Sequence, residues 1–410
     1  MTPPPGQTPA VRIVERLRTA GHVALLAGGC VRDLLLGASP KDFDVATDAT
    51  PAQVVATFPR TRTVGAKFGV VLVRLGGVDV EVATFRSDGT YSDGRHPDKI
   101  EFSGPREDAQ RRDFTINGMF YDPATREVID YVGGQADLKA GVIRAIGEPQ
   151  RRFAEDHLRM LRAVRFAARF GFEIESSTLA AIRTHAAELR GISAERIRQE
   201  LDLILGHDSR ARGWALLRAA GLDPYLIPGL EWDDESFARA YGRLEKLPPA
   251  ISLSAALAAV VCEWEPRRLA DICHEATYSN HVVRDIGWFV EHVPPLLSPD
   301  ELELADVKLL LADVRCADLM ELARAEYAVR HCPAEPLDRL AARMATIEPE
   351  RVSPPRLLTG DDLIGWRVPK GPAYARVLEA VYRAQLNETI STREEAAALA
   401  QRLLGDSRST

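Results

Sequence analysis

Residues 41–47 read KDFDVAT, and this segment restricts the fold more than any other part of the chain. In a β-strand successive side chains point to opposite faces, so Asp42 and Asp44 would share one face while Phe43 points to the core. Neighbouring carboxylates repel each other unless a cation lies between them, and oxygen ligands at this spacing suit Mg²⁺. The segment therefore predicts a magnesium-binding strand; a solvated strand end is the alternative.

A glycine pair lies before this segment. The apolar residues 22–27 run into Gly28 and Gly29, and a short apolar helix follows at residues 34–36. A strand, a glycine turn and a helix start together allow backbone N–H groups to approach a phosphate. A plain tight turn fits the same residues. The turn lacks the GxGxxG pattern, which disfavours a dinucleotide-binding enzyme.

A β-hairpin is predicted next, because residues 69–75 and 78–84 alternate in polarity on either side of a Gly-Gly turn. Asp79 and Glu81 would share one face of its second strand. Glu81 lies deeper in the strand and could complete a two-metal site with the first two acids, whereas Asp79 is expected to be solvated. We expect an irregular, mobile loop over residues 86–98, beside this site.

A basic stripe is predicted in residues 155–172, which read EDHLRMLRAVRFAARFGF. At 100° per residue, five side chains fall within an arc of about 120° on a helix: Glu155, Arg159, Arg162, Arg165 and Arg169. A solvated basic face is the ordinary interpretation. The use of Arg alone, with Glu155 and Asp156 as orienting partners, favours a binding function instead.

The composition is that of a globular protein of several domains. The chain has 410 residues, 46% of them hydrophobic and 27% charged, which favours two to four domains. The net charge of −7 argues weakly against nucleic acid, but 45 of the 52 basic residues are Arg. Arg suits bidentate phosphate contacts, although a genome rich in arginine codons would explain the bias equally well.

Several classes of protein are disfavoured. The five cysteines are scattered without CxxC spacing, so neither a disulfide nor a zinc site is indicated. No segment approaches the roughly 18 to 20 apolar residues of a membrane span. Residues 1–10 are proline-rich and lack the features of a signal peptide. We therefore predict a cytoplasmic protein.

Four motifs together resemble the class II tRNA nucleotidyltransferases (CCA-adding enzymes) and the bacterial poly(A) polymerases. They are GGCVRD, KDFD, RRDFTINGM and DYVGGQADL, which begin at residues 28, 41, 111 and 130. They occur in the family's order and spacing, and the resemblance extends to the C-terminus. It implies an α+β fold: a polymerase-β-type nucleotidyltransferase head, a small mixed sheet with helices, followed by an all-helical neck, body and tail.

The resemblance also implies a division of the chain. The expected parts are a disordered lead-in over residues 1–10, the head over residues 11–145, a helical neck over residues 146–205, a helical body over residues 206–300, and a helical tail over residues 301–410. The neck would bind the nucleotide base and the RNA end, and the tail would bind tRNA.

Individual residues receive roles from the same resemblance. Asp42 and Asp44 would be the catalytic metal ligands, with Glu81 as a further catalytic candidate. The nucleotide-binding positions would be Gly28, Gly29 and Arg32 at the triphosphate, Arg112 at the incoming nucleotide, and Asp113 and Asn117 near the ribose.

Glu155-Asp156-x-x-Arg159 matches the family's EDxxR element, which resembles an amino-acid template for the base. Asp156 would accept a hydrogen bond from the exocyclic amine shared by cytosine and adenine, and Arg159 would donate to the ring. Glu155 would orient Arg159. Arg162 and Arg165 would face the triphosphate or the RNA end.

The implied activity is template-independent addition of CCA to the 3′ end of tRNA from CTP and ATP, with Mg²⁺ as cofactor. An enzyme that adds only A or only CC, a poly(A) polymerase, and an inactive RNA-binding protein are the alternatives. Residues 64–71 lack the GRRFR-like run of the poly(A) polymerases, and the loop over residues 88–97 is longer than that of CC-adding enzymes. The intact motifs disfavour an inactive protein. Full CCA addition and terminal A addition both fit the sequence.

Overall fold

The computed structural model describes residues 7–63, 69–88, 100–227, 229–368 and 372–406. The chain divides into two compact units, Met1–Trp232 with Glu275–Thr277 and Asp233–His274 with Tyr278–Thr410. Within the described ranges, no helix is both long enough and apolar enough to cross a membrane.

The first unit contains the strands and the helices that position the site. Its strands are Ala24–Ala27 (β1), Asp44–Thr47 (β2), Thr61–Thr63 (β3), Val70–Leu75 (β4), Val78–Thr84 (β5), Arg86–Asp88 (β6), Ile100–Phe102 (β7), Met119–Asp122 (β8), Glu127–Asp130 (β9), Val142–Ile143 (β10) and Glu173–Ile174 (β11). Its helices are Gln7–Thr19 (α1), Gly29–Leu35 (α2), Pro51–Thr57 (α3), Pro105–Gln110 (α4), Gly134–Ala140 (α5), Pro149–Glu155 (α6), Arg159–Phe170 (α7), Ser176–His185 (α8), Ala194–Leu205 (α9) and Arg210–Ala219 (α10).

The main sheet has the strand order β3-β4-β5-β2-β1-β8-β9. Strands β2 and β5 run parallel, whereas the other neighbouring strands run antiparallel, so the sheet is mixed, as the resemblance implies. Its valines are buried on one face, at Val71, Val73, Val80 and Val82, and α1 and α3 pack against these strands. The alternate residues of β5, Asp79 and Glu81, are exposed on the other face.

Helix α1 begins at Gln7, before the expected start of the head at residue 11. It buries Ala10, Ile13, Val14 and Leu17 completely, a spacing that forms one apolar side of a helix. The disordered lead-in predicted for residues 1–10 is therefore wrong for residues 7–10, because this apolar side packs on the sheet. Residues 1–6 lie outside the described ranges.

The predicted hairpin is confirmed. Strands β4 and β5 pair antiparallel from Leu75–Val78 onward, and the turn glycines Gly76 and Gly77 have φ of 60° and 84°. This left-handed region is open to glycine at no steric cost. The loop predicted beyond the hairpin falls largely on residues 89–99, which lie outside the described ranges.

The described residues of the second unit form helices joined by turns and loops, as the resemblance implies. Its helices are Asp234–Lys246 (α11), Leu253–Val261 (α12), Pro266–Glu275 (α13), Asn280–His292 (α14), Leu304–Ala312 (α15), Cys316–Val329 (α16), Glu335–Ala345 (α17), Pro349–Val352 (α18), Gly360–Gly365 (α19), Pro372–Leu386 (α20) and Arg393–Asp406 (α21). All five cysteines of the chain are free thiols.

The boundary between the two units lies at Trp232, inside the expected body of residues 206–300. The reason is that α10 packs against α7 and α9 and so belongs with the neck helices. The finer divisions at residues 145, 205 and 300 stay predictions.

Candidate active site

Two carboxylates lie side by side on neighbouring strands. Asp44 is the first residue of β2, and the parallel register places it opposite Glu81 of β5. The strand is shorter than predicted, so Asp42 lies in the preceding loop, where it is exposed. Phe43 between the two acids is only 4% exposed. The expected alternation of buried and accessible side chains therefore holds, although Asp42 is outside the strand.

The pKa of Asp44 is raised to about 6. Burial is the largest cause, the nearby Glu81 charge is the next, and Asp42 acts in the same direction, while Arg112 partly opposes them. A negative charge at Asp44 is therefore costly in the free protein. A cation bound between these acids would relieve that cost.

The backbone of the glycine turn at Gly28 lies close to the side chain of Arg112. Gly28 has φ of 72°, and a Cβ atom at this position would lie 2.8 Å from Arg112 Nη1, so a larger residue would displace that side chain. Arg32 of α2 is 5% exposed. Its Nη1 donates to Asn117 Oδ1 at 2.6 Å and its Nη2 to Asp33 Oδ1 at 2.6 Å. The glycine turn and Arg32 therefore lie together along one side of the site.

Arg112 is held by Asp108, a residue that the sequence analysis did not single out. Arg112 Nη2 donates to Asp108 Oδ2 at 2.9 Å, and its guanidinium lies 5.2 Å from the ring centroid of Phe120. Burial alone would raise the pKa of Asp108, but Arg112 and Arg111 hold it below its ordinary value. The spacing of four residues between Asp108 and Arg112 was the available indication of this pair.

Asp113 and Asn117 join the head to the neck. Asp113 Oδ2 accepts from Arg162 Nε and Nη2 at 2.9 and 2.8 Å, and its Oδ1 accepts from Asn117 Nδ2 at 3.0 Å. Burial opposes ionisation, yet Arg162 and these hydrogen bonds lower the pKa of Asp113 to about 2. Since Asn117 also accepts from Arg32, a continuous bonded chain runs from α2 to α7.

The single helix predicted from Glu155 is interrupted, which corrects the sequence analysis. Helix α6 ends at Glu155, and α7 begins at Arg159. Asp156 is extended, with φ of −151°, and its Oδ1 accepts from the Leu158 N–H at 3.1 Å. Such a side-chain bond to the backbone competes with helix formation. Only the arginines of the predicted stripe therefore share α7: Arg159, Arg162, Arg165 and Arg169.

Glu155 nevertheless lies beside Arg159. Its Oε2 accepts from Arg159 Nη1 at 2.9 Å, and the same nitrogen donates to the Arg152 carbonyl at 2.9 Å. Arg159 is 9% exposed. Several bonds therefore restrict the direction of its guanidinium.

Helix α9 supplies two contacts that the sequence analysis missed. Arg196 Nη2 donates to both carboxylate oxygens of Asp156 at 3.2 Å. Glu200, which is 6% exposed, lies 2.9 Å from Arg165 Nε and 3.7 Å from Arg162 Nη1. Arg196 and Glu200 are four residues apart and so lie on one side of α9, which was the available signal.

One cavity of about 600 Å³ brings most of the predicted residues together. Two predicted residues, Asp42 and Glu155, do not line it. The predicted residues that do are Gly28, Gly29, Arg32, Asp44, Glu81, Arg112, Asp113, Asn117, Asp156, Arg159, Arg162 and Arg165.

We expect the raised pKa of Asp44 to make the stability of the protein depend on pH. Between about pH 4 and pH 6 the native state binds more protons at Asp44 than the unfolded state, so its contribution to stability falls as pH rises through this window. We expect Asp44→Asn, in buffer with a chelator, to raise the free energy of unfolding by on the order of 1 to 3 kcal/mol above pH 6. The gain should fade toward pH 4. Urea unfolding across this range tests the prediction, and a gain independent of pH would contradict it.

Comparison with known proteins locates the chain in one family. Residues 24–144 match the model of the Poly A polymerase head domain, and residues 171–233 match the model described as "Probable RNA and SrmB- binding site of polymerase A". The chain is 35% identical over 410 residues to the CCA-adding enzyme of Geobacillus thermodenitrificans, covering 96% of this chain and 95% of that one. It is 48% identical over 202 residues to poly(A) polymerase I of Escherichia coli O157:H7, covering 47% and 43%.

A solved structure agrees with these relatives. The crystal structure of the Bacillus stearothermophilus CCA-adding enzyme in complex with CTP matches with a TM-score of 0.79 at 32% identity, covering 99% of this chain and 100% of that one. Similarity over nearly the whole length of both chains includes the head and the helical remainder. The chain therefore belongs to the nucleotidyltransferase family of the CCA-adding enzymes and the bacterial poly(A) polymerases.

Proposed function

We propose that this protein adds C, C and A to the 3′ end of tRNA, taking the nucleotides from CTP and ATP without a nucleic-acid template. One observation carries the proposal: the carboxylates Asp44 and Glu81 line the same cavity as Asp156 and Arg159. Groups suited to transfer chemistry and groups suited to reading a base are therefore within one site. Similarity over the full length to CCA-adding enzymes supports the same conclusion.

The acid cluster suits a divalent cation, and we assign Mg²⁺. The family is generally dependent on divalent metal. Asp44 and Glu81 offer carboxylate oxygens, with Asp42 close enough to raise the pKa of Asp44. Among the described residues, no group of three or more His, Cys, Asp or Glu is placed to hold a metal ion by itself. Asp44 and Glu81 would therefore bind Mg²⁺ together with substrate phosphates, as one or two carboxylates commonly do. Bound there, Mg²⁺ would activate the RNA 3′-hydroxyl and neutralise the triphosphate.

The protein's own cations would hold the nucleotide. Arg32, Arg112, Arg162 and Arg165 line the cavity, and their planar guanidinium groups suit bidentate contact with phosphate oxygens. Each has a carboxylate or carbonyl partner that restricts its direction. Pre-oriented donors of this kind need little rearrangement when a triphosphate binds.

Base choice would rest on Asp156 and Arg159. An ionised carboxylate accepts hydrogen bonds but cannot donate, so Asp156 favours the amino groups of cytosine and adenine over the carbonyls of uracil and guanine. Glu155 holds Arg159 at 2.9 Å, which supports its assignment as the orienting residue. Asp113 and Asn117 would lie near the ribose.

The CCA-adding enzymes and the poly(A) polymerases are similar to this chain over different lengths. Poly(A) polymerase I matches only 47% of this chain, although at 48% identity, so the similar segment does not by itself separate the two activities. The full-length match favours CCA addition. Two segments distinguish this sequence from the poly(A) polymerases and from the CC-adding enzymes, namely residues 64–71 and the loop over residues 88–97. Most of both segments lies outside the described ranges, at residues 64–68 and 89–99.

The neck, residues 146–205, would hold the base and the RNA end, and the tail, residues 301–410, would bind tRNA. A cytoplasmic location fits a tRNA-processing enzyme with free thiols.

The function is tested by supplying purified protein with tRNAs that end at the discriminator base, at C, or at CC, and with each nucleotide separately. We expect CTP to be used on the first two, ATP on the third, and addition to stop after CCA. Use of ATP on CC ends alone would indicate an A-adding enzyme, and arrest after CC a CC-adding enzyme. Long A tails on unrelated RNA would indicate a poly(A) polymerase, and no transfer an inactive protein.

A further inference from the structure

A row of arginines lies at the β3 edge of the main sheet. Strand β3 pairs antiparallel with β4, and Arg62 lies opposite Leu72. The Arg74 N–H donates to the Arg60 carbonyl at 2.9 Å, which continues the same register by one residue and places Arg60 opposite Arg74. We call Arg60, Arg62 and Arg74 the edge arginines.

The edge arginines share a face with the catalytic carboxylates. The register of β4 and β5 pairs Arg74 with Asp79, and Leu72 with Glu81. Because paired residues of neighbouring strands point the same way, the edge arginines lie on the face of Glu81 and not on the buried valine face. Neighbouring strands are about 4.8 Å apart, so Arg62 lies about 10 Å from Glu81 along the sheet.

The charge of this edge is unbalanced. The edge arginines line a cavity of about 290 Å³ together with Thr61, Leu72 and Asp79. Arg74 Nη1 lies 3.4 Å from Asp79 Oδ1, and the two side chains are 57% and 43% exposed. An ion pair this exposed contributes little to stability. Within the part of the chain that the structure describes, Arg60 and Arg62 have no acidic partner.

The arrangement weakens the strand pair, because like charges that lie directly opposite each other are destabilising. A solvated polar edge would not require two opposed arginines beside a concave surface. Closely spaced, exposed guanidinium groups with a net positive charge are instead the ordinary basis of phosphate binding.

We propose that the edge arginines bind backbone phosphates of the RNA strand whose 3′ end is extended at Asp44 and Glu81. The inference rests on the proposed function and adds to it a contact surface for the RNA on the head. A stacked strand rises about 3.4 Å per nucleotide along its axis, so a distance of about 10 Å is within reach of the last few nucleotides of a stacked 3′ end. The incoming triphosphate has to lie at the carboxylates themselves, so a surface two strands away suits the RNA rather than the nucleotide.

The test compares three variants in a tRNA-binding measurement without nucleotide. Fluorescence anisotropy at several salt concentrations should show that Arg60→Gln/Arg62→Gln binds a labelled tRNA roughly tenfold more weakly. The slope of log affinity against log salt should become shallower by about 0.7 to 0.9 for each phosphate that the variant no longer neutralises. Arg60→Lys/Arg62→Lys should keep most of the binding, since the charge remains. The control is Arg12→Gln, an exposed arginine on α1, the helix layer on the valine face.

The outcomes distinguish the possible roles of the edge arginines. The KM for CTP should stay unchanged in the Gln double variant at saturating tRNA. Unchanged tRNA affinity and salt slope would overturn the inference, and so would a higher KM for CTP alone, which would assign the arginines to the triphosphate. A wild-type protein that binds tRNA but transfers no nucleotide would refute the proposed function, while the binding measurement would still decide the role of the edge arginines.

Discussion

Replacing Asp44 with Ala is expected to lower the rate of nucleotide transfer by at least about a thousandfold while leaving the fold intact. The reason is that charge neutralisation by metal contributes several kcal/mol to phosphoryl transfer, and about 4 kcal/mol corresponds to a factor of a thousand. Asp42→Ala should have a comparable effect. Glu81→Ala should also lower the rate, but by a smaller factor, because Asp44 would keep one carboxylate at the site.

The measurement is a single-turnover rate with saturating tRNA, CTP and Mg²⁺. Glu127→Ala is the control, because Glu127 is an exposed acid on the edge strand β9 of the same sheet and does not line the main cavity. It should keep the rate within about twofold, in line with the small effect of most exposed substitutions. Near wild-type transfer by Asp44→Ala or Asp42→Ala with Mg²⁺ would show that the metal assignment is wrong.

Asp156→Ala should admit UTP or GTP, with discrimination against these nucleotides reduced roughly tenfold to a hundredfold. A base-reading contact contributes about 1 to 3 kcal/mol against the wrong base, by analogy with bidentate contacts to DNA. Asp156 already bonds to Arg196 at 3.2 Å, so the substitution also frees that guanidinium. The relative kcat/KM for the four nucleotides on a tRNA that ends at C is the quantity to measure.

The alternative is that Asp156 only stabilises the junction of α6 and α7 through its bonds to Leu158 and Arg196. In that case the variant would lose activity for all four nucleotides equally, and its thermal stability would fall. Glu195→Ala is the control, since Glu195 is an exposed acid on α9 beside Arg196. It should leave both nucleotide preference and stability close to wild type.

The strand elements of the site could be predicted from local patterns. The alternation of residues 69–84 around Gly76 and Gly77 predicted the hairpin, because side-chain direction in a strand repeats every two residues. The same rule placed Asp79 and Glu81 on one face, and the deeper position of Glu81 in the strand made it the candidate partner of the first two acids. The observed register places Glu81 opposite Asp44. The family resemblance supplied the remaining candidates, most of which line one cavity.

The helix start was harder to predict. Apolar periodicity favours a continuous helix from Glu155, but Asp156 bonds to the Leu158 N–H and ends α6. Asp is known to prefer such local bonds, but whether they interrupt a helix depends on what else the Asp156 carboxylate binds. Its other oxygen, Oδ2, accepts from Arg196, which is 40 residues away.

The sequence by itself determined the elements whose causes are local. The acids of the hairpin and the arginine-bearing helix follow from the period of a strand or a helix, and the glycine turns follow from the freedom of glycine at positive φ. Only the tertiary structure decided which charges meet. Arg162 on Asp113, Arg196 on Asp156, and Glu200 beside Arg165 are contacts of buried or half-buried charged groups, which must find partners because burial without them is costly. The packing of α9 against α7 selects the last two partners, and no local period of the chain encodes that packing.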